Sequence, residues 1–237
     1  MAGFMKGALV ELIPTALIPV PNVIVFQFNP ETMTHTWTQP EPSPAGPNAT
    51  VTDPYAVTHE PGESFSFVLA LDAADSIATG SASAGLAEAS GVYTRLAALE
   101  MLLYPASSTA NPLAPDGSGG LLGTVTAAIG SAIGVSAKQA VPENVLNTVL
   151  FVWGPGRIVP VRITGLTVTE RLYDAALNPT LAEVQITMRV PTDEELRHHA
   201  DATLARVANG YTQSLRLSLA AANLVNAGES ILGMLPL

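Results

Sequence analysis

The sequence predicts an α+β fold that is mainly β, an antiparallel barrel or sandwich with one packed helix and a C-terminal helical extension. Three observations carry this. Residues 147–190 contain three apolar, β-branched runs separated by turn signals. Residues 63–71 alternate with aromatics in one phase. After Val190 the apolar period changes from two to between three and four. The expected division is a β domain over 1–191, with long loops at 40–62 and 105–142, and a helical extension over 192–237.

The elements follow in chain order. Ala8 to Ile13 and Val23 to Phe28 are apolar runs joined by a link containing Pro14, Pro19 and Pro21, as two strands would be. Asn29-Pro30 favours a turn, after which Met33, His35 and Trp37 alternate with threonines, predicting a third strand. Six prolines between 40 and 62 exclude a ladder there and predict an exposed loop. In Glu63 to Leu71, Phe65, Phe67, Leu69 and Leu71 share the face expected to be core.

From Gly85, the spacing of Leu86, Ala89, Tyr93, Leu96, Glu100 and Leu103 predicts a helix with one buried stripe, ended by Pro105. Residues 105–142 are Pro, Gly, Ser and Ala with almost no charge, expected to be a mobile or partner-ordered loop with a short helix at 121–134. Three antiparallel strands then follow: Val149 to Trp153, Ile158 to Leu172 and Leu181 to Val190. In the second of these, Val161 and Ile163 hold one phase and Leu166 and Val168 the other, so a bulge is expected at Gly165. Thr192 with Glu195 reads as a capping box. The helix it opens has its expected stripe at Leu196, Ala200, Leu204, Val207, Tyr211, Leu215, Ser218, Ala222 and Val225, with a bend near Gly210 and an end before Gly228.

Composition narrows the function classes. Hydrophobic residues are 48% of the 237 and charged residues only 13%, a low charge density for a free monomer, for which burial against neighbouring subunits is one explanation. A net charge of −10, from 20 acids and 10 bases, argues against tracking a phosphate backbone, so nucleic acid is a poor partner. There is no cysteine for disulfides, thiolate ligands or nucleophiles. The first residues lack the pattern of a secretory signal, which gives a cytoplasmic expectation, and the 121–135 stretch, interrupted by glycines, is too short to span a bilayer.

The catalytic and metal-binding patterns sought point to no site. Gly80-Ser81-Ala82-Ser83-Ala84-Gly85 is a helix-entry linker and not a nucleophile elbow. Gly154-Pro155-Gly156 separates two strands, so it reads as a hairpin turn and not a phosphate cradle. His198 and His199 point about 100° apart on a helix and cannot chelate one ion as an i, i+4 pair can. His35 reads as a satisfied core or interface histidine, while His59 lies among Asp53, Glu60 and Glu63, where a weak cation site is the lesser reading. Asp72 and Asp75 fall at a strand end, where capping is the plain role. No catalytic residue, metal site or cofactor is expected.

Two segments resemble the N-terminal tube domain found in baseplate and hub proteins of phage-tail-like contractile injection systems. Ile24 to Thr32 is similar to that family's short strand ending in F-x-F-N-P. The run Val149-Leu150-Phe151-Val152-Trp153-Gly154, Val159-Pro160-Val161-Arg162-Ile163, Leu166 to Glu170 and Leu177 to Val184 looks like the family's V-x-F-x-W-G series in order and spacing. Glu63 to Asp72 agrees with the strand preceding the family's helix. Three departures stand: Thr180-Leu181-Ala182 lacks the family's basic residue before the alanine, the 105–142 insert is long, and residues 192–237 contain no LysM-like motif.

The resemblance implies a tube-protein-like β subunit in a homo-hexamer ring, placed between inner tube protein and a VgrG-type spike protein and touching baseplate wedge components, assembled into a phage-tail-like particle. The expected role is a hub adaptor, or tube initiator, that joins tube to spike. An ordinary inner-tube or phage tail tube subunit is the second reading. An enzyme or a secreted binding sandwich is the reading the residues favour least. Interface candidates are Phe26, Phe28, Asn29 and Pro30 at the turn, Trp153 and Arg162 on the sheet, and Leu204, Tyr211 and Leu215 on the tail helix.

Overall fold

The structure is a computed structural model that describes residues 5–13, 19–40, 55, 57, 59–80, 84–105, 145–199 and 202–234. It is a mainly antiparallel β-sheet of seven strands with a few helices. In chain order these are β1 (Ala8–Ile13), β2 (Val20–Val25), β3 (Met33–Thr38), β4 (Gly62–Asp72), α1 (Ala73–Ala78), α2 (Ala84–Ser90), α3 (Tyr93–Met101), β5 (Thr148–Val152), β6 (Ile158–Tyr173), β7 (Pro179–Val190), α4 (Asp193–Arg197) and α5 (Ala202–Met234). The strand order is β2-β1-β5-β6-β7-β4-β3, so β2 and β3 are the edges.

β6 joins two halves. Its first residues pair with β5, from Val152↔Ile158 to Val149↔Val161, and from Arg162 onward it pairs with β7. The register slips between Ile163 and Gly165, at the expected bulge. The two halves face each other across aromatic rings: Phe26 and Phe151, at the β2 and β5 side, meet Phe67 at centroid distances of 5.5 and 5.6 Å, and Phe151 meets Phe65 at 5.3 Å. Around them lie Leu9, Leu69, Leu71, Val184, Ile186 and Met188, all buried, together with Leu96 and Leu99 of α3. The alternation read in 63–71 and 184–190 thus places its apolar phase in the core.

Several expectations change in detail. The second strand ends at Val25 and begins at Val20 rather than Val23, because Phe26 and Gln27 turn into the interior. The single helix expected from Gly85 is two helices. Gly91 lies at φ +59° beneath the carbonyl of Pro179, where a Cβ would collide, and Val92 N–H donates to that carbonyl at 2.8 Å. α1 was not expected; Asp72 caps it by accepting from Ala74 N–H at 2.8 Å, in line with the capping role read for that residue. The 121–134 helix falls outside the described residues.

The capping box is present: Glu195 N–H donates to Thr192 Oγ1, and Glu195 accepts from Thr192 N–H. Two hydrogen bonds from Arg189, opposed by partial burial and aided by Thr192, hold the Glu195 carboxyl down at about 2. The helix it opens is short, however, ending at Arg197 with His198 as its cap, and Gly210 lies inside α5. The buried face of α5 is Ala202, Ala205, Ala208, Asn209 and Thr212, so Leu204, Val207 and Tyr211 of the expected stripe are exposed. Close approach explains this: small side chains let α5 lie against β6, where Thr212 Oγ1 donates to Ile158 C=O at 2.7 Å and accepts from Ile158 N–H at 3.1 Å. The helix also continues past Gly228 to Met234.

Ala205→Leu is expected to cost about 1–3 kcal/mol by overpacking the cluster that Ala205 forms with Ala202 and Leu196 of α4, while Leu204→Ala stays within about 0.5 kcal/mol. Urea unfolding of the two variants checks which face is buried.

Candidate functional site

Glu63 is in the buried phase of β4 and is 6% exposed, so its carboxylate needs partners. It has two. Arg216 of α5 forks onto it, Nη1 donating to Oε2 at 2.9 Å and Nη2 to Oε1, and His35 of β3 approaches Oε1 through Nε2 at 2.7 Å. Register puts Trp37 directly opposite Glu63 and His35 opposite Phe65. The His35 ring therefore stacks between Trp37, 3.6 Å away by centroid, and Phe65 at 4.1 Å. The guanidinium of Arg157 lies 5.3 Å from the Phe65 ring centre, and that of Arg216 lies 6.0 Å from that of Trp37.

Charge and burial compete here. Burial raises the Glu63 carboxyl, but the hydrogen bonds and charge of Arg216, with those of His35, outweigh it and leave the group below its ordinary value. Burial lowers His35, with Arg157 and Arg216 in the same sense, and the Glu63 contact only partly offsets this. An ionised carboxylate only accepts, so neutral His35 donates through Nε2. Both Glu63 oxygens are thereby engaged in holding β3, β4 and α5 together. This is the chemistry of an anchor, and it agrees with the reading of His35 as a satisfied core or interface histidine.

The expected contact residues fall into separate places. Phe26 is not at the surface: its ring packs on Phe67, Phe151 and Trp153, because the turn after β2 points inward. Trp153 is half-buried and covers Gly7, where a Cβ would lie 2.6 Å from its ring. Asn29 ties the N-terminal segment to this turn, accepting from Gly7 N–H and donating to Met5 C=O, both at 2.9 Å. Phe28 is exposed and Pro30 half-buried. Tyr211 donates to Pro155 C=O at 2.9 Å and Leu215 lies by Gly156, so both meet the β5–β6 turn. Leu204 stands apart, exposed on α5.

Arg162 is exposed on β6 and lines a cleft of about 330 Å³ with Leu102, Val145, Leu196 and His199. The cleft is bordered by residues on either side of 106–144 in sequence. His198 is exposed and caps α4; His199 is half-buried. Asp53 lies outside the described residues, and His59 approaches Glu60 C=O at 3.1 Å. Among the described residues no group of three or more His, Asp or Glu is placed to hold a metal ion. Nor is any helix among them long and apolar enough to cross a membrane.

The Glu63 cluster was partly legible in sequence. Glu63 shares its phase with Phe65, Phe67, Leu69 and Leu71, which signals an inward carboxylate; its partner Arg216 is 153 positions away and carries no such signal. Gln27 is a second buried polar link. Its buried amide donates to Asp72 C=O at 2.7 Å and Asp75 Oδ2 at 2.9 Å and accepts from Asp72 N–H at 3.0 Å, fixing the turn after β2 to the β4–α1 junction. No family model matches the chain, and no curated protein matches its sequence.

Breaking a fully buried pair costs about 3–5 kcal/mol; Arg216 is 30% exposed, so Glu63→Gln is expected to cost about 2 kcal/mol. Stability from the lowered His35 is complete above 6.5 and declines as pH falls through that value toward the folded one. The Glu63 contribution, complete above 4.5, is lost on further acidification. Thermal midpoints measured across pH should therefore fall in two stages, and His35→Gln should remove the upper one.

Proposed function

We propose that the chain is a non-enzymatic structural subunit of a contractile injection system, the adaptor ring joining the inner tube to the spike and baseplate hub. The observation that carries this reading is the pair of free sheet edges. Among the described residues β2 pairs only with β1, and β3 only with β4. A strand edge with unused N–H and C=O groups is an aggregation hazard unless it is covered, and closing subunits into a ring covers it. Val23 and Val25 on one edge strand and Trp37 on the other are exposed, consistent with burial against neighbouring copies.

The segments that resemble the tube domain support the same reading. The F-x-F-N-P stretch runs from the end of β2 into the Asn29 turn, and the V-x-F-x-W-G series lies on β5, β6 and β7 in sequence. Tube-like barrel closure is then achieved between subunits of a hexamer. Inner tube protein, the VgrG-type spike and baseplate wedge components are the partners, and Phe28, Pro30, Arg162 and Leu204 are the surface residues available to them. The second reading, an ordinary inner-tube or phage tail tube subunit, uses the same edges; the long insert and helical tail favour the adaptor.

Phe26 N–H donates inward to Gly7 C=O at 2.9 Å. Alternation along β2 therefore aims the N–H groups of Val23 and Val25 away from β1, with Pro21, which has none, in the same phase. Val23→Pro should abolish ring formation in light scattering while changing the unfolding midpoint little. Cryo-electron microscopy of particles carrying the tagged chain decides the place: one ring at the tube base is expected, many stacked copies indicate a plain tube subunit, and a self-contained monomer in particle-free fractions overturns both readings.

A further inference from the structure

α5 is 33 residues long, and among its described side chains those held by the domain lie in its first half. Among the described side chains of the helix, burial ends with Thr212 and the half-buried Gln213, Leu215 and Arg216. Beyond that point Leu217 is 72% exposed, Leu219 63% and Leu224 74%, and Ala220, Ala221, Ala222, Asn223 and Asn226 are exposed as well. Residues 217–234 thus extend roughly 27 Å as helix at 1.5 Å per residue. Helices in proteins owe most of their stability to packing of an apolar face, and this one carries a single charge, Glu229.

The spacing of its apolar residues identifies what covers it. Leu217, Leu224 and Ile231 recur every seven positions, and Ala220, Ala227 and Met234 recur at the intervening step of three. That is the a and d pattern of a coiled coil, with large residues at a and mostly alanine at d. Within the segment the positions flanking the seam are Ala221, Asn223, Gly228 and Ser230, none charged, and Arg216, which flanks Leu217, is paired with Glu63, so identical copies meet with little like-charge repulsion. The seam starts where contact with β5 and β6 stops. A face that is wholly apolar and in a heptad register is complementary to itself.

We infer that residues 217–234 form a parallel, in-register coiled coil with the same segment of other copies of this chain. The inference concerns the helix alone and does not rest on the place of the protein in a particle. Leu219, Val225 and Leu232 lie off the seam and are not accounted for by it.

The chain has no cysteine, so one introduced cysteine reports on copy-to-copy contact alone. In the full chain under mild oxidation, Leu224→Cys at a is expected to form a disulfide-linked dimer roughly tenfold faster than Ala222→Cys, which lies opposite the seam, beyond the Cα separation a disulfide bridges. The paired variant Leu217→Glu with Leu224→Glu should lower the sedimenting mass while leaving the unfolding midpoint of the β domain in place. Equal cross-linking at the two positions overturns the inference. So does its absence at Leu224, whether another protein, a lipid surface or residues 106–144 of the same chain cover the face. A ring that assembles without the Leu224 link refutes the coiled coil and leaves the adaptor reading intact; the link without a ring does the reverse.

Discussion

One strand belongs to both halves of the sheet, and the architecture depends on how it changes partner. β6 leaves β5 after Val161 and takes up β7 from Arg162, with the slip at Gly165 close behind. A bulge bends a strand and increases its twist, which allows a single sixteen-residue strand to serve both halves. The change of phase moves the apolar side chains with it: Val161 and Ile163 are buried before the slip, and Leu166 and Val168 pack on the same core after it. Without that change one half would turn its apolar face to water.

The space between the halves is filled by Phe26, Phe65, Phe67 and Phe151, whose rings touch in tilted and stacked pairs. Around this centre the polar links are few and specific. Gln27 secures the turn after β2, Asn29 the segment before β1, and Glu63 the helix α5. Glu63 is the costliest of these, since it places an ionised group among aromatic rings, and it persists because Arg216 and His35 occupy both of its oxygens. It therefore sets the angle at which α5 leaves the domain, through a bidentate fork that tolerates little displacement.

Two kinds of surface remain without cover among the described residues, the strand edges and residues 217–224 of α5. They differ in what they ask of a partner. An edge offers backbone groups and is satisfied by any strand that can approach, with side chains setting register only secondarily. The heptad seam offers shape alone and is satisfied by a matching helix. A subunit that used both would associate through two independent contacts, and loss of one would weaken but not remove the other.

Much of the fold was legible locally. Strands β4 and β7, the bulge at Gly165, the hairpin turn at 154–156 and the Thr192 box each follow from residues near one another in sequence, because backbone geometry and a two-residue period act at short range. The chain by itself also determined the inward aim of Glu63, through its phase with Phe65 and Phe67. What the tertiary structure decided was everything set by a distant partner. Gly91 breaks a helix because Pro179 passes above it, and Phe26 turns inward because Phe67 and Phe151 make room for it. The tail helix buries Ala202, Ala205 and Ala208 in place of Leu204 because its start packs on Leu196 of α4 and Thr212 bonds to β6. Periodicity names the apolar positions of a helix, but which of two stripes is buried depends on the surface it meets.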